Sequence, residues 1–192
     1  MASSFAPPPS RKGRGATANL ESRFSEFRRE SDETRLESDA AQECGVKFVT
    51  QVALENARTI ISRNQSTDIP FDRSINPYRG CEHGCAYCFA RPTHAYLGLS
   101  PGLDFETRLY AKHNAAERLD AELRKRGYQP ALLALGANTD PYQPIEREYG
   151  ITRSVLEVLE RFGHPVGITT KSALVTRDID ILSRMAQRGL AR

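Results

Sequence analysis

The sequence predicts an α/β protein in which helices cover a parallel sheet, and three observations carry that expectation. Two short stretches, the wholly apolar 131–135 and the β-branched-rich 166–170, read as strands of a sheet buried on both faces. Stretches with apolar residues at helical spacing alternate with them: Ala116, Leu119 and Leu123 in 115–126; Val155, Leu156, Leu159 and Phe162 in 152–162; Ile179, Leu182 and Met185 in 178–188. Gly127, Gly163 and Gly189 punctuate these helical stretches, and a helical crossover is what returns a chain to start a neighbouring parallel strand.

Taken in order, residues 1–45 lack a sustained apolar period and read as a flexible, partly basic tail. It begins with Pro7, Pro8 and Pro9 and passes through Arg11, Lys12, Gly13, Arg14 and Gly15. A solvated tail and a phosphate-contacting one are the two readings of that basic stretch. Leu20, Phe24 and Phe27 have the spacing of a short helical segment that packs on the main body. Residues 46–75 read as a lead-in built on a short β-hairpin, with strands over 46–52 and 59–63 around a turn at Glu55, Asn56 and Ala57. The core domain then runs over 76–192, with a first strand over 107–111.

Of 192 residues, 39% are hydrophobic, somewhat low for a fully packed chain, which agrees with a loose N-terminal part. No apolar run approaches the roughly 18 residues of a membrane span, and no apolar signal segment opens the chain. The expectation is a cytoplasmic protein with no membrane partner. The 27 basic and 24 acidic residues leave a formal charge of +3 spread along the sequence, weak support for a nucleic-acid partner.

Three of the four cysteines, Cys81, Cys85 and Cys88, fall within eight residues, while Cys44 lies far upstream. That clustering points to metal ligation, not to a disulfide framework. The spacing C-x3-C-x2-C can wrap three corners of a 4Fe-4S cubane, with Gly80 and Gly84 allowing the tight turns. Three thiolates leave one iron open to a ligand. Zinc is the alternative, with His83, His94 or Cys44 completing a tetrahedron, and would make the chain a zinc-binding nucleic-acid module. Cys44 as a fourth cluster ligand would instead make it a closed-cluster electron-transfer protein.

The cysteine loop, with Tyr87 just before its last cysteine, resembles the radical S-adenosylmethionine (radical SAM) superfamily. The wider context, Asn76 to Cys81, His83, Tyr87, Cys88, Ala90, Arg91 and Ser100 to Glu106, resembles the branch grouped with spore photoproduct lyase and labelled DNA repair photolyase-like. The resemblance runs from about Phe48 to the end. It implies a partial parallel (β/α) barrel, a 4Fe-4S cluster on Cys81, Cys85 and Cys88, and reductive cleavage of S-adenosylmethionine to a 5'-deoxyadenosyl radical that abstracts hydrogen from a substrate. A reductant such as flavodoxin or ferredoxin is implied as partner. Spore photoproduct lyase uses a cysteine hydrogen donor, and this chain has no cysteine after Cys88, so thymine-dimer repair does not carry over and the substrate stays unknown.

The resemblance also assigns contacts to S-adenosylmethionine. The polar run after strand 131–135 offers Asn138, Thr139 and Asp140 to its amino group, at the sheet edge where α/β proteins bind ligands; an Asp-Pro turn is the bland alternative. Lys171 and Ser172, after strand 166–170, would meet its carboxylate on the same edge, unless Lys171 is an ordinary solvated strand-end lysine. Tyr78, Arg79 and Arg91 flank the loop and either tune a cluster or hold the loop by hydrogen bonds. Residues 189–192 stand where another strand is due, so the barrel is expected to be truncated at its C-terminal side, retaining cluster ligation but binding S-adenosylmethionine weakly.

Overall fold

A computed structural model describes Gly15, Ala16, Asn19 and residues 49–192. Cys44 and the spacing of Leu20, Phe24 and Phe27 lie outside the described residues.

Among the described residues, seven strands form two sheets. The first holds β1 (Gln51–Leu54), β5 (Arg108–Ala111) and β4 (Tyr78–Arg79) in that order, with β1 parallel and β4 antiparallel to β5. The second runs β2 (Ser62–Arg63), β3 (Arg73–Ile75), β6 (Leu133–Leu135), β7 (Val166–Ile168). Here β3, β6 and β7 are parallel, in the register Ile75 beside Leu135 beside Ile168, and β2 lies antiparallel at the edge. Beyond β7, residues 190–192 add a further parallel pairing: Val166 N–H donates to Leu190 O at 2.8 Å and Ile168 N–H to Arg192 O at 3.0 Å.

Among the described residues there are also five α-helices: α1 (Asp104–Thr107), α2 (Ala115–Leu123), α3 (Glu146–Tyr149), α4 (Ile151–Phe162) and α5 (Ile179–Gln187). Two 3-10 segments cover Arg91–Leu97 and Ala173–Asp178. The crossovers from β3 to β6 and from β6 to β7 carry α2 and α4 respectively, as parallel neighbours require. Leu119 and Leu123 of α2, Val155, Leu156 and Leu159 of α4, and Ile181 and Met185 of α5 share one core with Ile75, Leu133, Leu135 and Val166 of the sheet. α4 packs against both α2 and α5.

The expected hairpin of 46–52 with 59–63 is replaced by other pairings. β1 lies beside β5, Val52 opposite Leu109, while Ser62 and Arg63 turn back on Ser74 and Arg73. Non-local partners outcompete the local turn because Ala57 and Ile60 are buried and anchored. The N–H of Ala57 donates to Asn114 Oδ1 at 2.9 Å, and that of Ile60 to Glu122 Oε1 at 2.6 Å, so the segment between the strands follows α2 instead of turning. Among the described residues, no helix is long and apolar enough to cross a membrane.

Candidate metal and cofactor site

The cysteine loop begins where the chain steps from one sheet to the other: β3 ends at Ile75, β4 starts at Tyr78, and Cys81 follows two residues after β4 ends. Gly80 makes the turn possible. Its φ is +76°, and a Cβ there would stand 2.4 Å from Leu109 Cδ2 and 2.8 Å from the Phe105 carbonyl. The same carbonyl accepts from Cys81 N–H at 2.8 Å, which fixes the loop on α1.

Cys81 is buried and its side chain shares a small apolar cluster with Ala90 and Phe105, against which Cys88 packs. Burial pushes the Cys81 thiol up to about 11; the backbone N–H groups of His83 and Asp140, aimed at its sulfur, pull the other way, and Asp140 and Cys85 add to the rise. Cys85 and Cys88 are half-buried. Lys171 Nζ donates to Cys85 Sγ at 2.9 Å, and this bond holds the lysine above its ordinary value. The cysteine loop, the loop after β6 and the loop after β7 therefore meet at the C-terminal ends of β3, β6 and β7.

Side chains from each loop lock the others. Asn76 Oδ1 accepts from the N–H of Asn138 at 2.8 Å and of Thr139 at 3.4 Å. The buried Thr139 hydroxyl donates to Tyr78 O at 2.9 Å. Gln143, 0% exposed, accepts from Glu82 N–H at 3.0 Å and donates to Gly80 O at 3.1 Å, bracketing Cys81 from both sides. Asp140 accepts from Thr170 Oγ1 at 2.7 Å, Lys171 N–H at 3.0 Å and Tyr142 N–H at 2.8 Å, and sits 3.3 Å from His83 Nε2. Burial alone would push its carboxyl up, but these donors hold it below the ordinary range. The Ser172 hydroxyl accepts from Leu174 N–H at 3.2 Å, capping the 3-10 segment.

Of the five contacts expected from the sequence, Asn138 and Lys171 are thus exposed, whereas Thr139, Asp140 and Ser172 engage their side chains within the protein. Arg91 holds the loop by donating to Cys85 O from Nε at 3.0 Å and Nη2 at 2.9 Å, while Arg79 pairs outward with Glu55. His94 turns away: its buried ring meets Phe105 edge-on, and Nε2 lies 2.8 Å from Arg108 O. Tyr87 and Phe89, 87% and 76% exposed, present aromatic faces on either side of Cys88. Gln143 and Asn76 were missed by the sequence reading. A polar residue that closes a strand-end run, as Gln143 does three positions past Asp140, is the signal that marks such a clamp.

Among the described residues, no three His, Cys, Asp or Glu side chains form a group that could hold a single metal ion. Tetrahedral zinc would need its sulfurs about 3.8 Å apart, given Zn–S near 2.3 Å. The thiolates of a 4Fe-4S cluster each bind a separate iron and need not meet at one point. The loop fits that demand in its donor set: three thiols, N–H groups directed at Cys81 sulfur, and a lysine beside Cys85.

No protein-family profile matches the chain, and no solved structure matches it. The chain is 44% identical over 120 residues, 62% of its length, to uncharacterized proteins of Mycobacterium tuberculosis and Mycobacterium bovis, of which the match covers 35%. It is 28% identical over 112 residues to an uncharacterized protein of Methanocaldococcus jannaschii, covering 58% of this chain and 40% of that one. The chain spans little more than a third of the length of these curated relatives.

Proposed function

We propose that the chain carries the cluster-binding part of a radical S-adenosylmethionine enzyme, with a 4Fe-4S cluster on Cys81, Cys85 and Cys88, within the partial (β/α) barrel that the sequence resemblance implies. The observation that carries the reading is the C-x3-C-x2-C loop seated at the C-terminal edge of β3, β6 and β7, with Lys171 against Cys85. When bound, such a cluster supplies one electron to S-adenosylmethionine, giving methionine and a 5'-deoxyadenosyl radical.

The protein's own residues bind, orient and shield. Lys171 offers the carboxylate of S-adenosylmethionine a positive charge, and Asn138 offers the oxygen of its exposed amide to the amino group. Thr139, Asp140 and Ser172 shape the two loops that carry them. Gln143 and Arg91 hold the backbone on either side of Cys81 and at Cys85, which fixes the path of the loop that carries the thiols. The reaction's substrate is a hydrogen donor of unknown structure, the electron source a flavodoxin- or ferredoxin-type reductant, and the reducing cytoplasm suits three free thiols.

Anaerobic reconstitution with iron and sulfide tests the reading. About four irons per chain are expected, with 5'-deoxyadenosine formed when S-adenosylmethionine and a reductant are added. Replacing Cys81, Cys85 or Cys88 by Ala should abolish both results, while Cys44→Ala should leave iron content intact. One tightly held zinc and no 5'-deoxyadenosine would overturn the proposal in favour of a zinc module; loss of iron in Cys44→Ala would favour a closed electron-transfer cluster.

A further inference from the structure

Glu106, on the short helix α1, is 0% exposed, and a buried carboxylate is tolerated only when donors meet its oxygens. One donor is Arg91, the residue that grips the Cys85 carbonyl and also reaches the carbonyls of Pro101 at 3.3 Å and Gly102 at 3.1 Å. Two more come from the far N-terminus: Gly15 N–H at 3.3 Å and Ala16 N–H at 2.9 Å, separated from Glu106 by 91 and 90 positions. Close by, Asn19 and Asp104 exchange two bonds, Asn19 Nδ2 donating to Asp104 Oδ1 at 3.0 Å and Asp104 N–H to Asn19 Oδ1 at 2.9 Å.

Gly15 also lies directly on the cysteine loop. A Cβ on it would come within 1.8 Å of the Gly84 carbonyl oxygen and 3.0 Å of Ala86 N. Gly84, with φ at +60°, has no room either: its own Cβ would stand 2.9 Å from Glu106 Oε2. Three layers, the N-terminal backbone, the Gly84 peptide and the Glu106 carboxylate, are in mutual contact.

We propose that Gly15, Ala16 and Asn19 form a brace that positions the Cys81–Cys85–Cys88 loop, acting through Glu106 and Arg91. These five are positioning residues for the thiols, and the stretch that reads in sequence as a loose tail is, at these three positions, part of the site's construction. The metal enters only through the function proposed above; the brace is a property of the metal-free chain and can be tested there.

The test uses the full chain with Gly15→Ala, and with Ala16→Pro, which removes the N–H that Glu106 accepts. Alkylation of Cys85 by iodoacetamide in metal-free protein, resolved peptide by peptide by mass spectrometry, should quicken about fivefold or more in both, as local opening of the loop becomes easier. Melting temperature should hold, and Ala16→Gly, which keeps the N–H, should alkylate at the wild-type rate. After reconstitution, the midpoint potential of the cluster should shift in Gly15→Ala and Ala16→Pro but not in Ala16→Gly. Unchanged alkylation in both disruptive variants, or a rise shared by every thiol together with a lowered melting temperature, would overturn the brace. If wild type takes up no iron, the functional proposal fails while the alkylation rates still decide the brace.

Discussion

Gln143 meets both peptide groups flanking Cys81 with one buried amide, so its removal leaves an orphaned carbonyl at Gly80 and an orphaned N–H at Glu82. Each unsatisfied buried group costs about 1–3 kcal/mol. With two groups orphaned, Gln143→Leu is therefore expected to lower unfolding free energy by about 2–6 kcal/mol, read from the denaturant midpoint, and to reduce iron retention after reconstitution. Lys171 works differently. Being exposed, it adds little to stability, and under the proposed function its charge is there for a ligand. Lys171→Met should keep the midpoint and the iron content while raising the KM for S-adenosylmethionine about tenfold or more, the factor that a charged hydrogen bond of about 1.5–3 kcal/mol supplies. An unchanged KM would remove Lys171 from the binding role.

At the scale of elements, α4 is the main packing unit: Val155, Leu156 and Leu159 are all 0% exposed between α2, α5 and the sheet. Leu156→Ala is expected to cost about 2–5 kcal/mol, measured by denaturant unfolding. Where α5 begins, Asp178 is buried among the Tyr142 hydroxyl at 3.1 Å, Arg153 at 3.0 Å and Arg177 at 2.8 Å. Burial raises its carboxyl, but the arginines prevail and hold it below the ordinary 3.8. A depressed carboxyl contributes stability that is fully present above its unfolded value and is lost as pH falls through its folded value. Unfolding free energy should accordingly drop as pH is taken below about 4, and Asp178→Asn should flatten that acid limb; an unaltered acid limb would show that other carboxyls govern it. The three longer helices, α2, α4 and α5, and the strands β6 and β7 were legible because their signal is local: Leu133 and Leu135, or Val155 and Leu159, declare their burial by spacing alone, whereas β3, which opens on Arg73 and Ser74, shows no apolar run and the one-turn helices α1 and α3 are too short to show a period. The pairing of β1 was not, because its partner β5 lies more than fifty residues on and Asn114 and Glu122 direct the chain between β1 and β2. The cysteine loop was legible by composition, whereas Gln143, Asn76 and the contact of Gly15 with Gly84 depend on chain segments that meet only after folding.

Across the whole molecule, the described chain passes between the two sheets three times, and the shortest passage, Asn76 and Pro77, is secured by Lys112, which donates from Nζ to Asn76 O at 2.8 Å and from its N–H to Pro77 O at 3.0 Å. The two edges of the second sheet differ in kind. On the β2 side, a two-residue antiparallel strand with both residues exposed closes the ladder. On the β7 side, residues 190–192 already take up the N–H groups of Val166 and Ile168. Removing 190–192 should speed hydrogen exchange at those two amides while leaving Leu133 and Leu135 protected; equal exchange at Val166 and Ile168 would show that this pairing does not persist in solution. One margin of this sheet is thus an exposed antiparallel strand, and the other is a strand whose outward N–H groups are spent on the chain's own residues, so within the described residues the edge beside the Lys171 loop offers no unpaired donor at Val166 or Ile168.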